Sequence, residues 1–308
     1  MNSVVTSRIR SALRQVLSED ARDTIKRLQH LHKGPETSRT RRLFEAAKLT
    51  PAFLEDQELH RLQERYRALP EYGYDEQSLE VQGNKRAAQI LALPGFARAG
   101  SVLEVGCWDG MVSCGLQRAG KFTTAIDRHS EGFDVRARAA GVTLREMDAE
   151  ALQLPDESFD GVFSYDTFEH VARPDRVLAE CIRVTRKGGY IYLNFGPLYM
   201  SAFGEHAYRS ITVPYCQHLF SQPALSRYAI DHHLNPLDPA GINRWTLRDY
   251  RELWKRFSDV VSVERNTECL DISHLDLIRE YPSCFRSKSD SFDEFTVAGI
   301  RIVFNKIA

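Results

Sequence analysis

The residues whose types and spacing best suggest chemistry are Glu104, Gly106, Cys107, Asp109 and Gly110. In this run an apolar segment, Val102-Leu103-Glu104-Val105, passes into a glycine-flanked turn and then into helical sequence. A glycine there has no Cβ and accepts positive φ, so the backbone can approach a ligand closely, with a helix N-terminus behind it. Asp127 lies 17 residues past Gly110, at the end of a second β-like run. A carboxylate at that edge can accept both hydroxyl hydrogens of a ribose. Asp148, with Ala149 beside it, ends a third run and is placed to accept from the exocyclic amine of a base. A fourth run, Phe159 to Ser164, leads through Tyr165-Asp166 into Phe168-Glu169-His170-Val171. Any one of these features occurs by chance in many chains. Four successive strand ends directed at one crevice form a much more specific pattern.

With these residues in place, the stretch 101–196 resembles the core of a class I S-adenosylmethionine-dependent methyltransferase, of the large group with FDxVxSxxxxEHV after the nucleotide-binding strands. The resemblance matches Glu104, Gly106 and Gly110 to the family's Gly-rich motif, with Cys107 and Asp109 inside it, and Asp127 to its ribose-binding acid. It places Asp148 and Ala149 at the adenine and Tyr165 beside the cofactor's methionine part. It implies S-adenosyl-L-methionine as cofactor and a seven-stranded sheet with an antiparallel last strand. One departure is Trp108, where the family usually has a second glycine. A Rossmann dehydrogenase also presents a strand, a Gly-rich turn, a helix and a later acid. Its fingerprint needs G-x-G-x-x-G, against G-C-W-D-G here, and an acid precedes the first glycine by two residues.

The cofactor implied by this resemblance carries a methyl carbon that is already electrophilic. The protein's main task is then to align a nucleophile and exclude water. A base is required only where the acceptor must lose a proton, and no metal is called for. Candidate acceptor contacts fall in the stretch 196–245: Tyr199, His206, Tyr208, Tyr215, His218 and His232-His233. Of these, His206, His218 and Tyr215 are the catalytic candidates, since imidazole is the switchable base at neutral pH. His170, which follows Glu169 in the family motif, suits a structural role at a helix start or a catalytic one. Asp109 and Asp166 are equally suited to capping the helices that follow them. Cys107 reads as a small filler in the turn, with no adjacent base to activate it.

These residues need a scaffold, and the chain predicts one. Short β-like runs at 101–106, 123–127, 142–148, 160–166 and 189–196 alternate with helical stretches, which predicts a parallel sheet covered by helices. Two further runs, 260–266 and 295–306, read as an antiparallel pair with little helix between them. The expected fold class is α/β: a Rossmann-like doubly wound sheet with an N-terminal helical extension over 1–95. The methyltransferase domain spans 96–308 and carries an acceptor-pocket insertion at about 196–245. Helical stripes are expected on Val5, Ile9, Ala12, Leu13 and Val16, on Leu59, Leu62, Tyr66 and Leu69, and from Glu76 to Leu93.

The composition, 43% apolar with 41 basic and 42 acidic residues among 308, excludes a fibre or a disordered chain. No apolar run is long enough for a transmembrane helix, and no secretory leader is visible. Six scattered cysteines without CxxC pairing fit a reducing cytoplasm. The first 50 residues hold 11 Lys/Arg against 5 Asp/Glu, so a charge of +6 on this segment faces −7 on the remainder. That acidic body disfavours nucleic acid and points to a small-molecule acceptor: a metabolite, sugar or lipid-linked precursor. The basic front can serve as a lid, a dimer contact or a peripheral membrane contact. Two alternatives stay open at this level. One is a tRNA-modifying methyltransferase, since some wobble-uridine families share the W-D-G turn; the other is a non-catalytic cofactor-binding scaffold.

Overall fold

Apolar runs that must be buried on both faces become adjacent strands of one sheet. These are β1 (Ser101–Val105), β2 (Phe122–Asp127), β3 (Thr143–Glu146), β4 (Phe159–Tyr165), β5 (Thr185–Phe195), β6 (Val261–Leu270) and β7 (Val297–Lys306). The order is β3-β2-β1-β4-β5-β7-β6. Strands β1 to β5 pair in parallel, with Leu103 opposite Thr124 of β2 on one side and Val162 of β4 on the other. Strand β7 runs antiparallel to both β5 and β6. This is the Rossmann-like sheet expected from the sequence. Its strand order reverses between β1 and β4, which opens a crevice at their carboxyl ends.

The computed structural model describes residues 34–66, 73–207 and 209–308. The stripe expected on residues 5–16, together with Leu69 and Tyr208, lies outside the described residues. Residues 34–52 and Ile272–Phe292 form a small compact unit, while Phe53–Asp271 and Asp293–Ala308 form a larger one. In the small unit, Arg279 pairs with Glu36 at 2.5 Å, and the Phe44 ring tilts on Phe292 at 5.7 Å. Its helices are α1 (Gly34–Glu45), α11 (Leu275–Glu280) and α12 (Pro282–Arg286). The stretch between β6 and β7 therefore holds more helix than its sequence suggests. Helices of five or six residues are too short to display a period.

The larger unit carries the sheet and its helices: α2 (Asp56–Arg65), α3 (Glu76–Leu91), α4 (Pro94–Arg98), α5 (Met111–Arg118), α6 (Val135–Ala139), α7 (Pro174–Val184), α8 (Cys216–Leu219), α9 (Gln222–Asp231), α10 (Leu247–Arg256) and α13 (Asp293–Thr296). Helices α2 and α3, which the sequence assigns to the extension, belong to this unit. On one face of the sheet, Leu103, Val105, Val162 and Ile191 pack with Leu178 of α7 and with Tyr250, Leu253 and Trp254 of α10. On the other, Val102, Phe163, Tyr165 and Tyr192 pack with Ala87 and Ile90 of α3, Phe96 of α4 and Leu116 of α5. Successive strand residues thus bury in opposite directions, which is why the strands read as unbroken apolar runs.

Two arrangements position the site. Helix α3 approaches α5 backbone to backbone: a Cβ on Gly83 would stand 2.6 Å from the Met111 carbonyl oxygen, and one on Gly115 would stand 2.7 Å from the Ala87 Cβ. Helix α2 is stitched to the segment after β5, where Gln63 donates to the Ser210 carbonyl at 3.1 Å and accepts from the Thr212 N–H at 3.0 Å. Among the described residues no helix is long and apolar enough to cross a membrane. The α3–α5 contact is testable. Gly83→Leu is expected to cost about 1–3 kcal/mol of stability in urea denaturation, because the branched side chain must displace backbone rather than a mobile side chain.

Candidate functional site

The turn after β1 alternates left-handed residues: Gly106 at φ +73, Trp108 at +50 and Gly110 at +77. The N–H groups of Gly106 and Cys107 both donate to the Ile126 carbonyl at 2.9 Å, anchoring the turn to β2. A Cβ on Gly106 would collide with the Thr167 side chain, and one on Gly110 would lie 2.7 Å from Leu144 Cδ2. Trp108 takes the backbone shape that a glycine holds at little cost. Its N–H donates to Asp127 Oδ2 at 2.8 Å, and its side chain is 60% exposed. Asp109 Oδ1 accepts from the Met111 N–H at 2.8 Å at the start of α5. Glu104 points beneath the turn, and its Oε2 accepts from the Ser113 N–H at 3.1 Å and the Ser113 hydroxyl at 2.6 Å. Burial pushes its carboxyl up to about 8, and these Ser113 bonds oppose the shift. Burial likewise raises Cys107 and Asp109.

At the neighbouring strand ends, Asp127 is half-buried, and its Oδ1 accepts from the His129 N–H at 3.3 Å. A carboxylate offers about four lone-pair positions, so the two backbone donors leave room for two more. Asp148 is exposed, with Oδ1 accepting from the Glu150 N–H at 2.9 Å, and Ala149 packs half-buried against the core. These groups line the carboxyl edge of β1, β2 and β3 as the sequence predicts.

The end of β4 holds more than the sequence suggests. Tyr165 is buried, and its hydroxyl donates to Gln89 Oε1 at 3.2 Å. Over its ring, 4.7 Å from the centroid, lies the guanidinium of Arg86, which reaches down from α3 and pairs with Asp166. Asp166 is itself left-handed, at φ +48. Burial raises the carboxyls of Glu104, Asp109 and Glu169, and Arg86 opposes part of that rise at each. Glu169 is 1% exposed; its Oε1 accepts from the Gly196 N–H at 2.9 Å, and its buried Oε2 has no hydrogen-bond partner among the described residues. Burial, reinforced by Asp166, drives its carboxyl well above the usual range.

His170 is exposed, and its Nδ1 lies 2.6 Å from the Gly241 carbonyl. That contact makes Nδ1 the protonated nitrogen of the neutral ring and leaves the Nε2 lone pair outward, with no protein partner among the described residues. The His206 ring meets His170 edge to face at 5.0 Å. Its Nε2 lies 3.1 Å from the Pro197 carbonyl, and burial pushes the ring down to about 4, so it is neutral at physiological pH. His206 borders a small cleft lined also by Phe203, Glu205, Ile211 and Val213.

The other catalytic candidates lie elsewhere. His218 is 2% exposed, with Nε2 3.1 Å from the Met200 carbonyl and its ring against Tyr199 and Phe295. Tyr215 is fully buried, and its hydroxyl donates to the Phe295 carbonyl at 2.8 Å. His232 stacks on Tyr228 at 4.0 Å, and Tyr199 lies under the Arg244 guanidinium at 5.3 Å. The structure therefore joins His206 to His170 and puts His218 and Tyr215 into an aromatic cluster. Arg86 carries no sequence signal, because no spacing rule connects a polar helix to strand ends so far along the chain.

A family profile described as a methyltransferase domain matches residues 103–193. The ubiquinone biosynthesis O-methyltransferase of Agrobacterium fabrum is 32% identical over 96 residues, covering 30% of this chain and 38% of that protein. The phosphatidylethanolamine N-methyltransferase of Cereibacter sphaeroides is 38% identical over 104 residues, covering 32% and 51%. The ubiquinone biosynthesis O-methyltransferase of Dechloromonas aromatica is 30% identical over 172 residues, covering 51% and 71%. The chain thus spans 38% and 51% of the length of the first two of these relatives.

The raised Glu104 carboxyl sets a pH dependence. Its folded-state value lies near 8 and its unfolded value near the ordinary 4.5, so the folded protein retains a proton that the unfolded chain gives up. Stability from this group is full below about pH 4.5, declines as pH rises, and levels off above about 8, with a slope of up to about 1.4 kcal/mol per pH unit. Glu104→Gln removes that slope, so urea midpoints of variant and parent are expected to converge or cross between pH 5 and 8. Parallel curves would show that Glu104 does not retain the proton.

Proposed function

The chain belongs to the class I S-adenosylmethionine-dependent methyltransferases, and we propose that it methylates a hydroxyl oxygen of a small-molecule acceptor, with His170 as the base. The residues present fit the cofactor. Left-handed Gly106 and Gly110 keep the turn clear of side chains, and Asp127 has lone pairs left for a ribose diol. Asp148 and Ala149 would hold the adenine, and Tyr165 would border the methionine half. When bound, S-adenosylmethionine supplies a methyl carbon made electrophilic by its sulfonium.

The observation that carries the reading is the His170–Gly241 contact at 2.6 Å. A carbonyl that fixes Nδ1–H leaves Nε2 as a proton acceptor at the carboxyl end of β4, beside the crevice. An amine that reacts as its neutral form needs no such base, whereas a hydroxyl does. The buried, neutral His206 ring packs edge to face against His170 and supports it. His218 and Tyr215 then act at a distance, by holding the segment after β5 in shape. The O-methyltransferase names of two of the relatives agree with an oxygen acceptor.

Two measurements test this. Asp127→Ala is expected to weaken S-adenosylhomocysteine binding by roughly 100-fold, as two charge-assisted hydrogen bonds are lost. Release of S-adenosylhomocysteine with phenol, sugar and lipid-extract pools should show turnover on a hydroxyl-bearing pool. There His170→Ala should lower kcat by about 10²–10⁴-fold while leaving cofactor affinity unchanged. Turnover confined to amines, or indifferent to His170, would sink the proposal.

A further inference from the structure

We propose that Glu205 and Gln222 form an acceptor subsite that takes a second hydroxyl of the substrate, so that the acceptor is a dihydroxy or polyhydroxy compound. This rests on the reading that a hydroxyl is methylated at His170, and it names the class of molecule that carries it.

In the segment after β5, two buried polar atoms have no hydrogen-bond partner among the described residues: Glu205 Oε1, an acceptor, and Gln222 Nε2, a donor. Glu205 is 8% exposed. Burial raises its carboxyl, and Arg244 and Gln222 oppose the rise. The Gln222 amide therefore stands close to that carboxyl without completing a bond to Oε1. Gln217 nearby is engaged, its Nε2 donating to the Tyr199 and Ser201 carbonyls at 2.6 and 3.0 Å. Buried polar groups are nearly always paired, so an orphan donor beside an orphan acceptor calls for a group that fits both. That group must donate to a carboxyl oxygen and accept from an amide N–H. A hydroxyl does both, whereas an ammonium cannot accept and a carbonyl cannot donate.

The subsite adjoins the base. Glu205 and His206 are consecutive and border the same small cleft, and the His206 ring meets His170 edge to face at 5.0 Å. The segment whose Gly241 carbonyl fixes His170 also carries Arg244, left-handed at φ +59, with its guanidinium over the Tyr199 ring at 5.3 Å. Asn243 ties that segment to the loop after β4, donating to the Phe168 and Val171 carbonyls at 2.6 and 2.9 Å. One short stretch thus holds the base and stands beside the orphan carboxyl. The positive charge of Arg244 disfavours a cationic group at this place and leaves a neutral hydroxyl unopposed.

Matched acceptor pairs test the assignment on the full chain, with release of S-adenosylhomocysteine as the readout. The pairs are dihydroxybenzenes against phenol, cyclohexanediols against cyclohexanol, and a monoacylglycerol against a long-chain alcohol. In at least one pair the dihydroxy member is expected to have a kcat/KM about 10–100-fold above its partner, chiefly through KM. Glu205→Leu should collapse that ratio toward one. Gln222→Leu should lower it by up to about tenfold, and Glu205→Gln, which keeps a carbonyl oxygen, should recover part of the loss. Equal kcat/KM within every pair, or a ratio indifferent to both leucine substitutions, overturns the assignment and leaves water as the only bridge between the two side chains. A Glu205→Leu protein that no longer binds S-adenosylhomocysteine in calorimetry overturns it as well, because the carboxyl then supports the fold rather than the acceptor. Absence of turnover on every hydroxyl probe refutes the O-methylation reading itself, a separate result with which this assignment also falls.

Discussion

The turn after β1 keeps its shape because Asp127 accepts the Trp108 N–H. A tryptophan at φ +50 costs on the order of 1–2 kcal/mol against an ordinary backbone. A hydrogen bond to a charged acceptor contributes about 1.5–3 kcal/mol, enough to hold it there. Much else follows. With the turn fixed, Gly110 caps the start of α5, and Ser113 falls within reach of Glu104. With α5 fixed, α3 seats against it through Gly83 and Gly115, and α3 carries Arg86 over the crevice. The same carboxylate that shapes the turn still has lone pairs to offer a ligand.

Buried acids define the electrostatics of the crevice. Glu104 and Glu169 lie under the ends of β1 and β4, both with burial as the first cause of their raised carboxyls. A carboxyl that keeps its proton adds a hydrogen-bonding group without adding charge. The formal count of acids around the crevice therefore overstates its negative potential. At its rim Asp166 pairs with the Arg86 guanidinium, and Asp127 accepts from the backbone N–H groups of Trp108 and His129. This suits a ligand that carries charges of both signs.

Most of the scaffold was legible in the sequence because parallel strands buried on both faces leave unbroken apolar runs, and the strand ends carry acids and glycines at fixed intervals. The antiparallel close of the sheet was legible through the family resemblance rather than through that pattern. Three things were not. The short helices between β6 and β7 have no period to read. His218 and His206 look alike in sequence, and only packing shows that one ring lies against Phe295 while the other meets His170. Arg86 sits on a helix whose sequence is polar and ordinary, and its part in the site comes from the close approach of two backbones. Glycines permit that approach, and they carry no motif of their own.

The exposed indole of Trp108 makes the crevice optically visible. The chain has three tryptophans. Trp254 is buried in the core at 6% exposure and Trp245 is half-buried against it, so both emit from fixed apolar surroundings. Trp108 is 60% exposed and is tied through its own N–H to the carboxylate at the end of β2. Solvent around that one ring changes whenever something settles beside Asp127. The red edge of the intrinsic emission therefore reports occupancy of the crevice, with no label and no chemistry required.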